Sequence, residues 1–377
     1  MSQPITIASV QARVYRAPLS VPVQTSFGTM HSRPMVLIGI TDTDGNQGWG
    51  EVWCNFPSVG AEHRARLVDS TIAPLLQGQT FADAEAAFAH LSDRLHVLAL
   101  QSGEPGPFAQ AIAGADLALW DLLAQRTGQP LWRLLGGENP RISVYASGLN
   151  PTAPEELVRR RWDEGYRHFK LKVGFGAARD LRNLEAIRAV NDELSLAVDA
   201  NQAWSLEQAC AQAPAMQRFG LAWMEEPLRA DQPWPQWQRL VDTAGIALAG
   251  GENIAGDEAF DLALQAGCLR VVQPDIAKWG GLSRGLPLAR RILAAGRRFC
   301  PHYLGGGIGL LASAHLLAAA GGDGLMEIDA NDNPLRTLLQ GPLLTIDAGD
   351  AVLTETPGLG IDTEKLLGEL EPYRVAH

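Results

Sequence analysis

From residue 142 onward the chain alternates short apolar runs with amphipathic or alanine-rich stretches. The runs cover 142–146, 168–173, 195–198, 221–224, 246–249, 269–272, 298–300 and 324–328. They have the length of buried strands, whereas the stretches between them, such as 153–163, 181–191, 206–217, 258–266 and 283–295, carry the helical period. A βα unit repeated in this way closes most naturally into a barrel of the (β/α)8 type, with an open doubly wound sheet as the alternative. No G-x-G-x-x-G or G-x-x-x-x-G-K-[ST] motif follows any run, so nothing points to nucleotide binding.

The beginning of the chain has another texture. Residues 5–15, 35–41 and 47–52 read as strands, with Asp44-Gly45 as a hairpin turn. Residues 21–33 read as a loop around Gly28, and 61–76, 81–97 and 107–126 as helices. This predicts an α+β domain over 1–135 and a barrel over 136–342. The segment 343–377, with Pro357-Gly358-Leu359-Gly360 as a turn, loses the βα rhythm and is expected to return to the first domain.

Ionisable residues recur near the ends of the barrel runs: Lys172, Asp199, Glu225, Glu252, Asp275, His302 and Glu327. Successive gaps are 27, 26, 27, 23, 27 and 25 residues. In a barrel, side chains at the C-terminal strand ends converge on one pocket. A lone Asp after a strand is more often a helix cap, but caps do not explain seven residues in phase. Asp199, Glu225 and Glu252 would repel one another unless a cation lay between them. Oxygen ligands with open positions suit Mg²⁺, with Mn²⁺ as the alternative; no cysteine shares the phase, which argues against zinc. Asp275 and His302 fall on consecutive strands, where an Asp–imidazole hydrogen bond makes a histidine acid or base. Lys170 and Lys172 share one strand face, so mutual repulsion should let one lose its proton more easily than a free lysine.

These parts suit one chemistry. A divalent cation on a substrate carboxylate acidifies the α-proton and stabilises the enediolate that remains. Lys172 or His302 takes the proton, and a protonated Glu327 donates a hydrogen bond to the enediolate oxygen.

Composition narrows the partners. The net charge of −11 argues against nucleic-acid and anionic-membrane binding, leaving a small carboxylate substrate drawn in by local cations. The most apolar stretch, 305–320, is short for a membrane span and reads as a buried helix. Residues 1–15 are too polar for a signal peptide, and four cysteines without a C-x-x-C pair suggest a reducing, cytoplasmic setting.

The same residues resemble the enolase superfamily, and within it the mandelate racemase subgroup, over nearly the whole chain. The resemblance is carried by Gly48-Trp49-Gly50-Glu51, Phe169-Lys170-Leu171-Lys172, Val198-Asp199-Ala200-Asn201, Met224-Glu225-Glu226-Pro227 and Gly251-Glu252-Asn253. It continues through Gln273-Pro274-Asp275-Ile276-Ala277-Lys278-Trp279-Gly280-Gly281, Pro301-His302 and Met326-Glu327. A Lys or His base working with Mg²⁺ is a known pattern of that superfamily. The resemblance implies an α/β fold: a modified TIM barrel, (β/α)7β, under an α+β capping domain formed by the N-terminal region and the C-terminal segment. It implies Lys172 as the base on one substrate face, with Lys170 lowering its pKa and touching the substrate carboxylate. It also implies Asp199, Glu225 and Glu252 as Mg²⁺ ligands, the Asp275–His302 dyad on the other face, and Asn201 as a substrate contact. Muconate cycloisomerases and dipeptide epimerases carry a lysine base where Asp275 stands, which argues against those reactions. Specificity loops map to about 22–33 and 53–60, offering Gln24, Thr25, His31, Trp53, Asn55 and Phe56 as substrate contacts. A homo-oligomer is expected.

The leading expectation is a Mg²⁺-dependent acid-sugar dehydratase, a hydro-lyase giving a 2-keto-3-deoxy acid. The alternative is a racemase or epimerase using the same base pair. A Schiff-base lyase with Lys172 as nucleophile, or a non-catalytic metal-binding scaffold, fits the in-phase carboxylates and bases less well.

Overall fold

The computed structural model describes residues 4–26 and 28–377. The start of the 1–15 segment, residues 1–3, and position 27 of the 22–33 segment lie outside them.

Three long strands build the first domain: β1 (Ile5–Thr25), β2 (Gly28–Asp42) and β3 (Gln47–Val52). Helix α1 (Gly60–Leu67) runs through a π turn into α2 (Ala73–Leu76), and the short β4 (Thr80–Phe81) pairs with β1. Helices α3 (Ala84–Ser102) and α4 (Pro105–Thr127) then cover the sheet, followed by the short α5 (Leu131–Leu134). The glycines of Gly48-Trp49-Gly50 let β3 lie directly on α4. A Cβ on Gly48 would stand 2.2 Å from the Ala118 carbonyl oxygen, and one on Gly50 would stand 2.0 Å from that of Gly114.

The segment 21–33 is not a loop but the far end of the β1–β2 hairpin, paired at Val23–Met30, Gln24–Thr29 and Thr25–Gly28. Pro18 and Pro22 obscure the alternation, and the ladder absorbs them as a register shift between Pro18 and Val23. Val23 and Met30 are buried and hold the arm down.

The barrel strands are β5 (Arg141–Leu149), β6 (His168–Lys172), β7 (Ser195–Asp199), β8 (Met224–Glu225), β9 (Leu248–Gly250), β10 (Leu269–Val272), β11 (Arg298–Phe299) and β12 (Leu325–Asp329). Seven helices fall between them: α6 (Pro154–Asp163), α7 (Ala177–Val190), α8 (Leu206–Met216), α9 (Trp234–Ala244), α10 (Asp257–Ala266), α11 (Gly281–Ala294) and α12 (Gly307–Ala320). This is a nearly closed (β/α)7β barrel under a separate antiparallel sheet. All ladders around the barrel are parallel, in the order β11-β10-β9-β8-β7-β6-β5-β12. Among the described residues no ladder joins β11 to β12; the Leu325 amide donates instead to Cys300 Sγ at 3.3 Å.

The last stretch serves both domains. β13 (Asp350–Val352) adds an antiparallel strand to β5, whereas β14 (Arg374–Val375) pairs with β1. Apolar side chains fill the barrel interior from alternate strand positions, Tyr145, Ala197, Trp223, Val271, Cys300 and Leu325 among them. Among the described residues no helix is long and apolar enough to cross a membrane.

Candidate active site

Two residues beyond that apolar set, the strands turn polar. Ser147, Asp199, Glu225, Gln273, His302 and Glu327 follow Tyr145, Ala197, Trp223, Val271, Cys300 and Leu325 at that spacing. Sheet register then sets neighbours side by side, Lys172 against Asp199 and Asp199 against Glu225.

Lys170 sits one level lower, level with Ala197, and is fully buried. Its Nζ donates to both oxygens of Glu225, at 2.7 and 2.6 Å, and lies 2.8 Å from Glu327 Oε1. It also stands 5.3 Å from the Tyr145 ring centroid. Lys172 Nζ donates to Asp199 Oδ2 at 2.6 Å. The two ammonium groups therefore do not confront each other bare, and the expectation of an easily deprotonated lysine fails here. Burial is the largest influence and disfavours the Lys172 charge, but the attraction and hydrogen bond of Asp199, joined by Glu225, together outweigh burial and Lys170, and the pKa rises. Lys170, against the same penalty, is held well above the ordinary range by Glu225 and Glu327.

On the other side, His302 Nδ1 faces Asp275 Oδ2 at 2.8 Å. Asp275 is fixed in turn by the Ala277 and Lys278 amides, at 2.9 and 3.1 Å. His302 Nε2 meets Glu252 and lies 3.7 Å from Glu327 Oε2. Burial opposes the imidazolium, but Glu252 and Glu327 raise its pKa well above the ordinary value. Glu327 is not the protonated donor expected. Burial raises its pKa, yet Lys170 and His302 bring it down to about 2. It accepts hydrogen bonds from Ser147 Oγ and the Tyr303 amide.

Six carboxylates (Asp199, Glu225, Glu226, Glu252, Asp275 and Glu327) thus share four basic groups, Lys170, Lys172, Lys278 and His302. The excess shows in Glu225, pushed up to about 7 by burial and by Asp199 and Glu327 despite Lys170. Glu226 is driven well above its ordinary value by burial and by Glu252 and Asp199. Asp199 and Glu225, buried, and Glu252, half-buried at the cleft floor, supply an all-oxygen donor set at three adjacent strand ends, which fits a hard divalent cation in chemistry and charge. As the side chains stand, each is turned to its own cation: Asp199 to Lys172, Glu225 to Lys170, Glu252 to His302. Among the described residues, accordingly, no three His, Cys, Asp or Glu side chains surround a common point.

Above this layer lies a cleft of about 290 Å³, walled by the barrel and the first domain. Lys172, Asn201, Glu252 and His302 line it from below, Thr25, Trp53, Asn55 and Phe56 from above. Lys170 and Glu327, expected to touch substrate, do not line it. His31 is exposed and away from the cleft, because strand alternation turns buried Met30 inward and its neighbour out. Gln24 also lies off the lining, and its amide donates to Asn150 Oδ1 at 3.3 Å. Asn201 and Gln202 hold left-handed backbones, φ 44° and 65°, at the end of β7. The Asn201 amide and Nδ2 both donate to Asp199, at 2.8 and 3.1 Å, and its Oδ1 is buried without a partner. Strain of this kind persists where surrounding contacts over-determine the backbone.

Three residues stand in the motifs quoted from the sequence but received no role there. Gln273 Nε2 donates to Glu225 Oε2 at 2.6 Å; it falls two positions before Asp275, so the reading of one residue per strand passed over it. Lys278 enters the cleft from the loop after β10. Glu51, buried, crosses from the first domain to accept the Gly306 and Gly309 amides at 2.5 and 2.9 Å. Burial raises its pKa against those bonds.

Comparisons with known proteins agree with this architecture. Residues 7–136 match the family model of the mandelate racemase / muconate lactonizing enzyme N-terminal domain, and 153–365 that of the enolase C-terminal domain-like group. A D-galactarolactone cycloisomerase from Agrobacterium fabrum is 30% identical over 379 residues, covering 95% of this chain and 97% of that protein. An arabinonate dehydratase from Saccharolobus solfataricus is 28% identical over 352 residues, 91% of each. The crystal structure of a mandelate racemase/muconate lactonizing enzyme from Bordetella bronchiseptica RB50 shares 55% identity and superimposes with a TM-score of 0.92, over 97% of this chain and 99% of that one. Other solved proteins of this fold were crystallised with magnesium. Since both family models match and only the join at 137–152 and the chain ends fall outside them, the chain belongs to the enolase superfamily, in its mandelate racemase subgroup.

Proposed function

We propose that the protein is a Mg²⁺-dependent acid-sugar dehydratase converting an aldonate or aldarate into a 2-keto-3-deoxy acid. The observation that carries this reading is the placement of Lys172 and His302 in one cleft, above three carboxylates at adjacent strand ends. Asp199, Glu225 and Glu252 would hold the cation, after their side chains leave Lys172, Lys170 and His302. Bound there, it would acidify the α-proton of a carboxylate and offset the developing negative charge.

The remaining steps belong to the chain. Once Asp199 and Glu252 no longer face them, the neutral form of Lys172 Nζ or His302 Nε2 takes the α-proton. His302, as imidazolium backed by Asp275, then gives a proton to the departing β-hydroxyl. Lys170, buried beneath, acts by its charge on the layer above. Asn201 Oδ1, lacking a partner, accepts from a substrate hydroxyl. Incubating the Mg²⁺-loaded protein with a panel of aldonic and aldaric acids should yield 2-keto acid from at least one. Silence across the panel would overturn the dehydratase reading.

The second reading is isomerisation, supported by the cycloisomerase relative and by a base on each side of the cleft. Polarimetry with α-proton exchange in D₂O, and no keto acid, would select a racemase or epimerase. A cycloisomerase would show as ring closure or opening without keto-acid release.

A further inference from the structure

The cleft holds a third basic side chain that α-proton chemistry does not use. Lys278 Nζ donates to Asn253 Oδ1 at 3.1 Å and lies 4.8 Å from the Trp53 ring centroid. Its nearest carboxylate, Glu252 at 3.7 Å, is shared with His302. Asn253 is itself fixed, its amide donating to both Glu226 oxygens at 2.9 and 3.0 Å and to Glu252 at 2.9 Å. Trp53, from the first domain, has a buried Nε1–H with no partner. The ammonium is therefore held from two directions, by a barrel amide and a cap indole, and still lines the cleft.

The charge balance of the lining points to its use. Lys172, Lys278 and His302 face the cleft against one carboxylate, Glu252; every other lining side chain is uncharged. A substrate whose α-carbon lies between Lys172 and His302 presents one carboxylate there. A third cation, anchored on Asn253 and Trp53 and sharing Glu252 with His302, is then left for the far end of the molecule. A hydroxyl would satisfy its hydrogen bonding but not its charge; a second carboxylate satisfies both. We propose that Lys278, seated on Trp53, binds the distal carboxylate of the substrate, so that the preferred class is the dicarboxylic acid sugars rather than the monocarboxylic ones. This rests on the acid-sugar reading of the cleft.

The test is calorimetric binding, independent of turnover, to the Mg²⁺-loaded protein. The probes are matched pairs of one configuration: galactarate with galactonate, glucarate with gluconate. The wild-type protein should bind the dicarboxylate of at least one pair about tenfold or more tighter, the range of a charge-assisted contact. Lys278→Gln should abolish that preference while changing monocarboxylate affinity less than about twofold, and Lys278→Arg should keep most of it. A variant that weakens both acids equally, or neither, overturns the assignment, as does a wild type that prefers the monocarboxylate. A folded, Mg²⁺-binding wild type that takes neither acid overturns the acid-sugar reading itself, an outcome distinct from the others.

Discussion

The two sides of the cleft are built by different means. The lysine side is made by one sheet: register sets Lys172 beside Asp199 and Asp199 beside Glu225, and Lys170 is buried between Tyr145 and the carboxylates above it. The first domain reaches this side at one remove, where Ser26 Oγ donates to the carbonyl of Asn201, which in turn bonds Asp199. The histidine side borrows its support. The loop after His302 is pinned by Glu51 on the Gly306 and Gly309 amides and by Asn55 on the Leu304 carbonyl, both from the first domain. Asn333 holds the Gly305 carbonyl at 2.9 Å from a third direction. Chemistry set by strand register should tolerate changes in the cap; chemistry on a loop held by the cap should not.

The largest expected effect erases the difference. Chelating the proposed cation should abolish the proposed α-proton exchange on both substrate faces, and Mg²⁺ should restore both, as followed by NMR in D₂O. Persistent exchange in the chelated protein would leave Asp199, Glu225 and Glu252 as counter-ions only. Next come the two proposed bases. Lys172→Ala should cut exchange on one face by about a thousandfold, and His302→Asn should do so on the other, the usual scale for a proton-transfer group. Loss of the same face in both variants would remove the division of labour. Glu51→Ala should slow only the histidine-face exchange, by roughly ten- to a hundredfold, since it shifts the loop without touching substrate. It should also cost about 2 kcal/mol in denaturant unfolding, because two buried amides lose their acceptor. An equal loss on the lysine face would show that the cap supports both sides.

The smallest effect concerns α12, which begins just after that loop. His315 Nδ1 accepts the Trp132 amide at 2.9 Å, and its Nε2–H faces the Leu359 carbonyl at 3.2 Å, so the folded protein holds it neutral. Burial brings its pKa down to about 4, despite the Leu359 bond. A histidine depressed in the folded state takes its proton first in the unfolded chain. Its contribution is therefore intact above about pH 6.5 and is lost as pH falls toward 4, by about 2 kcal/mol between pH 7 and 5. Urea midpoints at the two pH values, with His315→Gln as a variant lacking that slope, measure it.

Much of this was legible because barrels impose a period. The seven in-phase residues mark strand ends, and the structure brings them to one end of the barrel. What the period could not show is which partner each side chain meets. Lys170 and Lys172 look equivalent as neighbours on one strand face, yet one falls level with Ala197 and the other level with Asp199. Repulsion between them was legible; the carboxylates that outweigh it come from other strands. Glu51 carries no local sign that its partners lie 255 and 258 residues away. His31 failed for the opposite reason: a prolonged strand, disguised by prolines, turned a presumed loop residue to solvent.

The missing ladder between β11 and β12 has a mechanical consequence. His302 follows one of these strands, and Glu327 lies on the other. Backbone hydrogen bonds brace every other neighbour around the barrel, but here side chains carry most of the contact: the Leu325 amide on Cys300 Sγ, Arg298 Nε on the Asp323 carbonyl at 2.8 Å, and the Tyr303 amide and His302 on Glu327. The barrel is thus a strip rolled until its ends meet, and the His302 imidazole stands at the join. The histidine side is therefore braced by side chains and loop contacts where the lysine side is braced by a sheet ladder.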